Sequence, residues 1–209
     1  MKHNILQYRV IGFIVLAVLL IVQESPAAPL FGRELVRTLR QGGKVVVMRH
    51  ASSPHIAPTR ETAAPGNSNL ERQLDENGRT TAIAMGNAIR RLNIPVGRVL
   101  SSPTYRALET VTMAKLPTPK VYEELGNAGH GMRAVSGDES EWLKRQVMHW
   151  PEDKNTVIVT HSPNIKAAFP RFGRHLTDGE ALILGEDGKG GIALLTRIKI
   201  EEWPTLAGD

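Results

Sequence analysis

The chain has 209 residues, 41% of them hydrophobic and 22% charged, and it contains no cysteine. One globular domain with an ordinary core fits that length, while disulfides, thiolate metal sites and cysteine-linked lipid anchors are excluded. The formal charge of +5 is dispersed, and Arg90-Arg91 and Lys144-Arg145 read as solvated helix faces; this argues against nucleic acid as a partner and leaves a mild bias toward anionic substrates.

The first residues stand apart from the domain. Met1 to Arg9 carries Lys2 and Arg9 and no acid, Val10 to Val22 is apolar apart from Gly12, and Ser25-Pro26-Ala27-Ala28 supplies small residues. That order is the pattern of a secretory signal peptide. Cleavage is expected after Ala27, which leaves a domain over residues 28–209 with a charge of +4 once Lys2, Arg9 and Glu24 are gone. The apolar run of 13 residues is shorter than the roughly 20 that span a bilayer. The expected location is therefore the periplasm, with an uncleaved inner-membrane anchor as the alternative and the only expected tie to a membrane.

A short helix is predicted over Leu30 to Leu39, closed by Gly42-Gly43. Lys44 to Met48 is an unbroken apolar strand, as expected for burial on both faces. Ala51 to Asn69 is a long polar loop. Over Asp75 to Leu92, Ala82, Met85, Ile89 and Leu92 share one face of a helix. A second strand covers Arg98 to Ser101, and a helix over Thr104 to Ala114 follows Ser102-Pro103. A third strand, Lys120 to Leu125, leads into a glycine-rich loop over Gly126 to Gly137. The next helix spans Glu139 to Trp150 and stops at Pro151. The fourth strand, Asn155 to Thr160, precedes a helix over Pro163 to Phe169 with Ser162 as its N-cap. Glu180 to Leu184 and Ile192 to Ile200 form a closing strand pair around a turn at Glu186 to Gly191. Strands alternating with helices predict a single three-layer α/β domain, its sheet mostly parallel and covered by helices on both faces.

Two of these strands run directly into histidine, in Met48-Arg49-His50-Ala51 and Val159-Thr160-His161-Ser162, and a third leads through Ser101-Ser102-Pro103-Thr104-Tyr105 to Arg106. In an open α/β sheet the C-terminal strand ends are where ligands bind. A neutral imidazole is a competent nucleophile toward phosphorus, and arginine holds phosphoryl oxygens with fixed geometry and permanent charge. His50 as nucleophile, Arg49 and Arg106 as clamps and His161 as a donor in its protonated form make a consistent set, with Ser162 and the start of the following helix beside the anion. No cofactor is required, since the cations are side chains, and no acid or thiolate ligands stand at metal-binding spacing.

These motifs resemble the histidine phosphatase superfamily, the phosphoglycerate mutase-like group. The resemblance runs from about Lys44 to Phe169 and rests on four motifs in order: Met48-Arg49-His50-Ala51; Leu74-Asp75-Glu76-Asn77-Gly78; Ser101-Ser102-Pro103 with Arg106 and then Glu109-Thr110; and Val159-Thr160-His161. It implies a phosphohistidine intermediate on His50, with Arg49, Arg106 and His161 completing the phosphate pocket. The loop Ala51-Ser52-Ser53-Pro54 lacks the Thr and Asn of the mutase branch. Where many members carry an acid after the third strand, this chain has Gly126-Asn127. Glu124 is the nearest candidate for the general acid, Asp138 and Glu139 are others, and the small phosphohistidine phosphatases of the superfamily manage without one. An export signal joined to a small domain is most similar to the bacterial envelope members, the lipopolysaccharide core heptose phosphatases among them.

The expected function is thus a metal-independent phosphomonoester hydrolase acting on a small phosphorylated substrate, with an envelope sugar phosphate as one class. The alternatives are a non-catalytic envelope protein that binds a phosphorylated ligand, and a phosphoglycerate mutase-type phosphotransferase, against which export argues.

Overall fold

The computed structural model describes residues 29–57, 59, 61–62, 71–126 and 133–206. The expected signal peptide, much of the loop after His50, and Asn127 with His130 lie outside them. Among the described residues no helix is long and apolar enough to cross a membrane.

The elements in chain order are α1 (Gly32–Arg40), β1 (Val45–Arg49), α2 (Glu76–Arg91), β2 (Val96–Ser101), α3 (Tyr105–Met113), β3 (Lys120–Val121), α4 (Gly137–Met148), β4 (Asn155–Thr160), α5 (Ser162–Ala168), β5 (Ala181–Glu186) and β6 (Ile192–Ile198). Two 3₁₀ turns, Glu123–Leu125 and Ile200–Thr205, complete the set. The six strands form one sheet in the order β3-β2-β4-β1-β5-β6. The first four are parallel, and β5 and β6 are added antiparallel at one side.

Alternation along the strands divides the core in two. Val46, Met48, Val157 and Val159 face α1, α2, α3 and Trp203. Val45, Val47, Ile158, Leu182 and Leu184 face α4 and α5 through Leu143, Val147, Ile165 and Phe169. The long apolar runs of β1 and β4 are thus explained by burial on both faces, and the three-layer α/β reading holds.

The register matters most for function. Arg49 pairs with Thr160, and Ser101 pairs with Val159. The C-terminal ends of β1, β4 and β2 are therefore level and adjacent, and His50, His161 and Ser102 leave the sheet side by side.

Several boundaries differ from the sequence expectation. The predicted strand Lys120 to Leu125 stops at Val121, because β2 leaves the sheet at Ser102-Pro103 and offers no further partner. Its last bond is Tyr122 N–H to Ser101 O at 3.1 Å, after which the chain turns on itself. Helix α4 begins two residues earlier than expected. Ser136 caps it and Glu139 returns a hydrogen bond to the Ser136 N–H at 2.7 Å, a reciprocal cap. The N-cap of α5 is His161, with Ser162 its first helical residue. The final strand ends at Ile198. Lys199 N–H donates to the Glu202 carboxylate at 2.7 Å, and the 3₁₀ turn that follows buries Trp203 against the first core.

Two glycines in α2 allow close approach. A β-carbon on Gly86 would run into the Ala114 carbonyl at the end of α3, and one on Gly78 would run into the Ser52 carbonyl. Gly86→Ala is expected to cost about 1–3 kcal/mol by overpacking, read as a lower urea midpoint at unchanged slope, with the remaining folded protein fully active. Gly78→Ala is expected to lose activity as well, because the Ser52 segment carries His50. Equal activity per folded molecule in the two variants would contradict this.

Candidate active site

His50 follows β1 directly and is 2% exposed. Its backbone is held on both sides: its N–H donates to Thr160 O at 3.0 Å, and Gly179 N–H donates to its carbonyl at 2.9 Å. The side chain has a defined tautomer. Nδ1 lies 2.8 Å from Ala51 O, and a carbonyl can only accept, so Nδ1 carries the proton. Nε2 is left with its lone pair and accepts from Arg106 Nε at 3.1 Å.

Arg106 stands in the first turn of α3 and also reaches the second imidazole, Nη2 to His161 Nδ1 at 3.2 Å. A guanidinium has donors only, so His161 Nδ1 is bare and its proton sits on Nε2. That nitrogen lies 2.9 Å from Ser102 Oγ and 3.3 Å from Thr104 Oγ1. The ring centroids are 5.1 Å apart, in an edge arrangement. Both imidazoles are therefore neutral. The protonated His161 expected from the sequence requires Arg106 Nη2 to turn first to another acceptor, such as a phosphoryl oxygen.

Burial pulls the His50 pKa well below the ordinary histidine value. The Arg106 charge adds to this, the Ala51 carbonyl opposes it, and Arg49 and Arg72 contribute further lowering. Arg106 is itself brought down to about 10, by burial first and then by Arg72 and Arg49, against the pull of Glu71.

Helix α3 is locked to the segment that follows His50. Thr110 Oγ1 accepts from Ala51 N–H at 3.1 Å and donates to Arg106 O at 2.8 Å. Glu71 accepts from Tyr105 N–H at 2.6 Å at the start of the same helix. On the other side of His50, Ser52 Oγ donates to Asp75 at 2.7 Å, and Asp75 caps α2 by accepting from Gly78 N–H, also at 2.7 Å.

Arg49, the last residue of β1, donates from Nη1 to Leu176 O at 3.1 Å. Its Nη2 forms an ion pair with Asp178 that lies off the hydrogen-bonding axis. Two participants were missing from the sequence reading. Arg72 donates from Nη1 to Ile56 O at 3.2 Å; burial and then Arg49 lower its pKa, while Asp178 opposes them. Its Nε is buried without a hydrogen-bond partner among the described residues. The only signal for it was its place two residues before Leu74 in the second motif. Asp178 lies in the connection between α5 and β5, where no pattern marked it.

The remaining candidates are placed differently. Glu124 sits in the 3₁₀ turn after β3, at the same edge of the sheet, and its carbonyl accepts from Asn164 Nδ2 at 3.0 Å. No hydrogen bond joins its carboxylate to either imidazole or to Arg106. Ser162 has a buried Oγ without a partner. Glu139 is a capping residue bound by Arg133 at 2.6 Å, and that interaction above all holds its carboxyl down to about 2; it is removed as a proton donor. Asp138 is exposed in the first turn of α4. Arg49, His50, Arg72, Arg106 and His161 thus converge on one cationic cup whose shape and charge suit a tetrahedral dianion.

No family model matches the chain, and no curated protein does. Solved structures do. A protein histidine phosphatase, SixA, complexed with tungstate, superposes with a TM-score of 0.54 at 19% identity, over 76% of this chain and 98% of that one. A phosphoserine phosphatase from Entamoeba histolytica in complex with 3-phosphoglyceric acid gives 0.53 at 17% identity, over 74% and 95%. The chain has the phosphoglycerate mutase-like α/β fold that these structures share.

Proposed function

We propose that the protein is a phosphomonoester hydrolase that works through a phosphohistidine on His50. The observation that carries this reading is the fixed tautomer. A backbone acceptor holds the proton on Nδ1, so the Nε2 lone pair faces the cationic cup and is covered only by an Arg106 N–H. An entering phosphoryl group takes that N–H through an equatorial oxygen and leaves Nε2 in line with phosphorus. Arg49, Arg72 and Arg106 stabilise the charge on the transferred group. The alcohol departs opposite His50, and water then cleaves the N–P bond. His161, released from Arg106, adds a donor to the phosphoryl oxygens.

The substrate class is a small phosphorylated alcohol. One similar protein supports it by the 3-phosphoglyceric acid its structure holds, while the tungstate in another supports the phosphoryl pocket alone. The leader-like sequence of residues 1–27 supports an exported enzyme, with an envelope sugar phosphate as a substrate to try.

Hydrolysis of p-nitrophenyl phosphate is expected to persist in EDTA, to fall about 10⁴-fold or more in His50→Ala, and to fall about 10²–10³-fold in Arg106→Ala. Acid-quenched turnover with ³²P-labelled substrate should leave acid-labile phosphate on the wild-type protein and none on His50→Ala. Undiminished turnover in His50→Ala would sink the reading.

The depressed His50 pKa has a definite sign. The free enzyme keeps a neutral nucleophile well below the ordinary histidine pKa, so its imidazole NMR titration has a midpoint below about 6.5. In Arg106→Gln the opposing charge is gone and the midpoint moves up. A midpoint that stays put would show that burial alone sets it.

A further inference from the structure

A departing alkoxide needs a proton, and none of the carboxyls expected from the sequence is tied to the cup. Glu139 belongs to the Arg133 pair and the α4 cap. Glu71 is engaged with the start of α3. Glu124 has no bond from its carboxylate to the imidazoles or guanidiniums of the cup. His161 holds Arg106 on one nitrogen and Ser102 and Thr104 on the other.

His55 is placed differently. It lies five residues beyond the nucleophile in the same segment, and its Nε2 is 3.5 Å from Asp178 Oδ2. The other oxygen of that carboxylate pairs with Arg49. The neighbouring Ile56 carbonyl is held by Arg72. Two of the guanidiniums of the cup therefore fix the segment that carries His55, one through Asp178 and one through the backbone. The side chain is 75% exposed, so its ring stays open to solvent beside the Arg49–Asp178 pair. Among the described residues the charged group against it is Asp178, which pairs in turn with Arg49.

We infer that His55 is the proton donor to the leaving group and that Asp178 is its positioning residue; this rests on the phosphatase reading above. With Nε2–H directed at Asp178, Nδ1 is the nitrogen that exchanges the proton, and the carboxylate supports the imidazolium as in other carboxylate–imidazole pairs. The 3.5 Å separation is of the long kind that tightens when substrate binds. In the first half-reaction His50 Nε2 bonds to phosphorus as the P–O bond breaks. The electron pair of that bond stays on the alcohol oxygen, which takes a proton from the His55 imidazolium. In the second half the oxygen of a water bonds to phosphorus and its proton passes to solvent, the N–P electron pair returns to His50, and His55 regains its proton from solvent, so this step does not depend on His55.

The test uses two substrates that differ in leaving group. p-Nitrophenolate departs without a proton, whereas the alkoxide of glycerol 2-phosphate does not. His55→Ala is expected to change p-nitrophenyl phosphate turnover less than about threefold and to lower kcat on glycerol 2-phosphate by about 10²-fold, the size of a general-acid contribution. Asp178→Asn, which also loosens Arg49, should slow both substrates but glycerol 2-phosphate more. That extra loss should vanish in the His55→Ala background. A purely structural role would slow both substrates equally in His55→Ala and would overturn the assignment. A leaving-group-dependent loss in Glu124→Gln with none in His55→Ala would overturn it in favour of Glu124. Absence of turnover on both substrates by the wild-type protein would instead remove the phosphatase reading, and the proton donor with it.

Discussion

The site depends on a buried guanidinium placed between two imidazoles. Arg106 is 4% exposed, and an arginine so enclosed must find acceptors or raise the free energy of the fold by several kcal/mol. It finds them in the lone pairs of His50 Nε2 and His161 Nδ1. Because it can only donate, it dictates the protonation of both rings, and the Ala51 carbonyl and the Ser102 and Thr104 hydroxyls take the protons on the far sides. The same contact that satisfies the cation in the empty protein leaves His50 in the state a nucleophile needs. An acceptor-bearing residue at position 106 would not impose that order.

Holding Arg106 there takes three elements from distant parts of the sequence. The parallel pairing of β2, β4 and β1 brings the strand ends level, and β4, the last of the three in the chain, lies between the other two. Thr110 fastens α3 to the residue after His50, and Glu71 fastens the start of α3 to the segment that precedes α2. Gly78 lets α2 come against the Ser52 carbonyl. The glycine of the second motif and the Thr that closes the third thus serve one purpose, which is to set the distance between Arg106 and His50.

This explains which parts were legible in the sequence. His50 and His161 directly follow β1 and β4, which are buried on both faces, and such strands announce themselves as β-branched runs, whereas Arg106 lies in the first turn of α3 and was marked by the Ser101-Ser102-Pro103 motif before it. The residue after the run is then placed by the sheet alone, since ligands gather at that edge. Arg72 and Asp178 lie in connections without periodicity, and only tertiary approach brings them to Arg49. The short β3 and the turn after it were misread for a related reason. Val121, Tyr122 and Leu125 supply apolar residues across the segment, but strand formation requires a partner, and the partner strand leaves the sheet at Ser102-Pro103. Trp203 was missed because a 3₁₀ turn lacks the repeat that marks an amphipathic helix.

The charge distribution separates two tasks within the cup. The groups nearest His50 are fixed by hydrogen bonds from the sheet, α2 and α3, and they differ little in the kinds of anion they accept, since any phosphoryl group presents the same three oxygens. Arg49 and Arg72 are held instead by carbonyls of irregular segments, at Leu176 and Ile56, and by one carboxylate, Asp178. Besides burial, the Arg49 charge lowers the pKa of Arg72, and both charges lower that of Arg106, so the cations of the cup repel one another and a dianion would relieve that repulsion. Recognition of the phosphoryl group is therefore built into the fold. Recognition of the alcohol falls to the segments around Ile56 and Asp178, which the sheet does not constrain. An α/β core of this kind can keep its strand-end groups while those connections change, and for that reason the proposed reaction is readable from the strand ends whereas the alcohol is not.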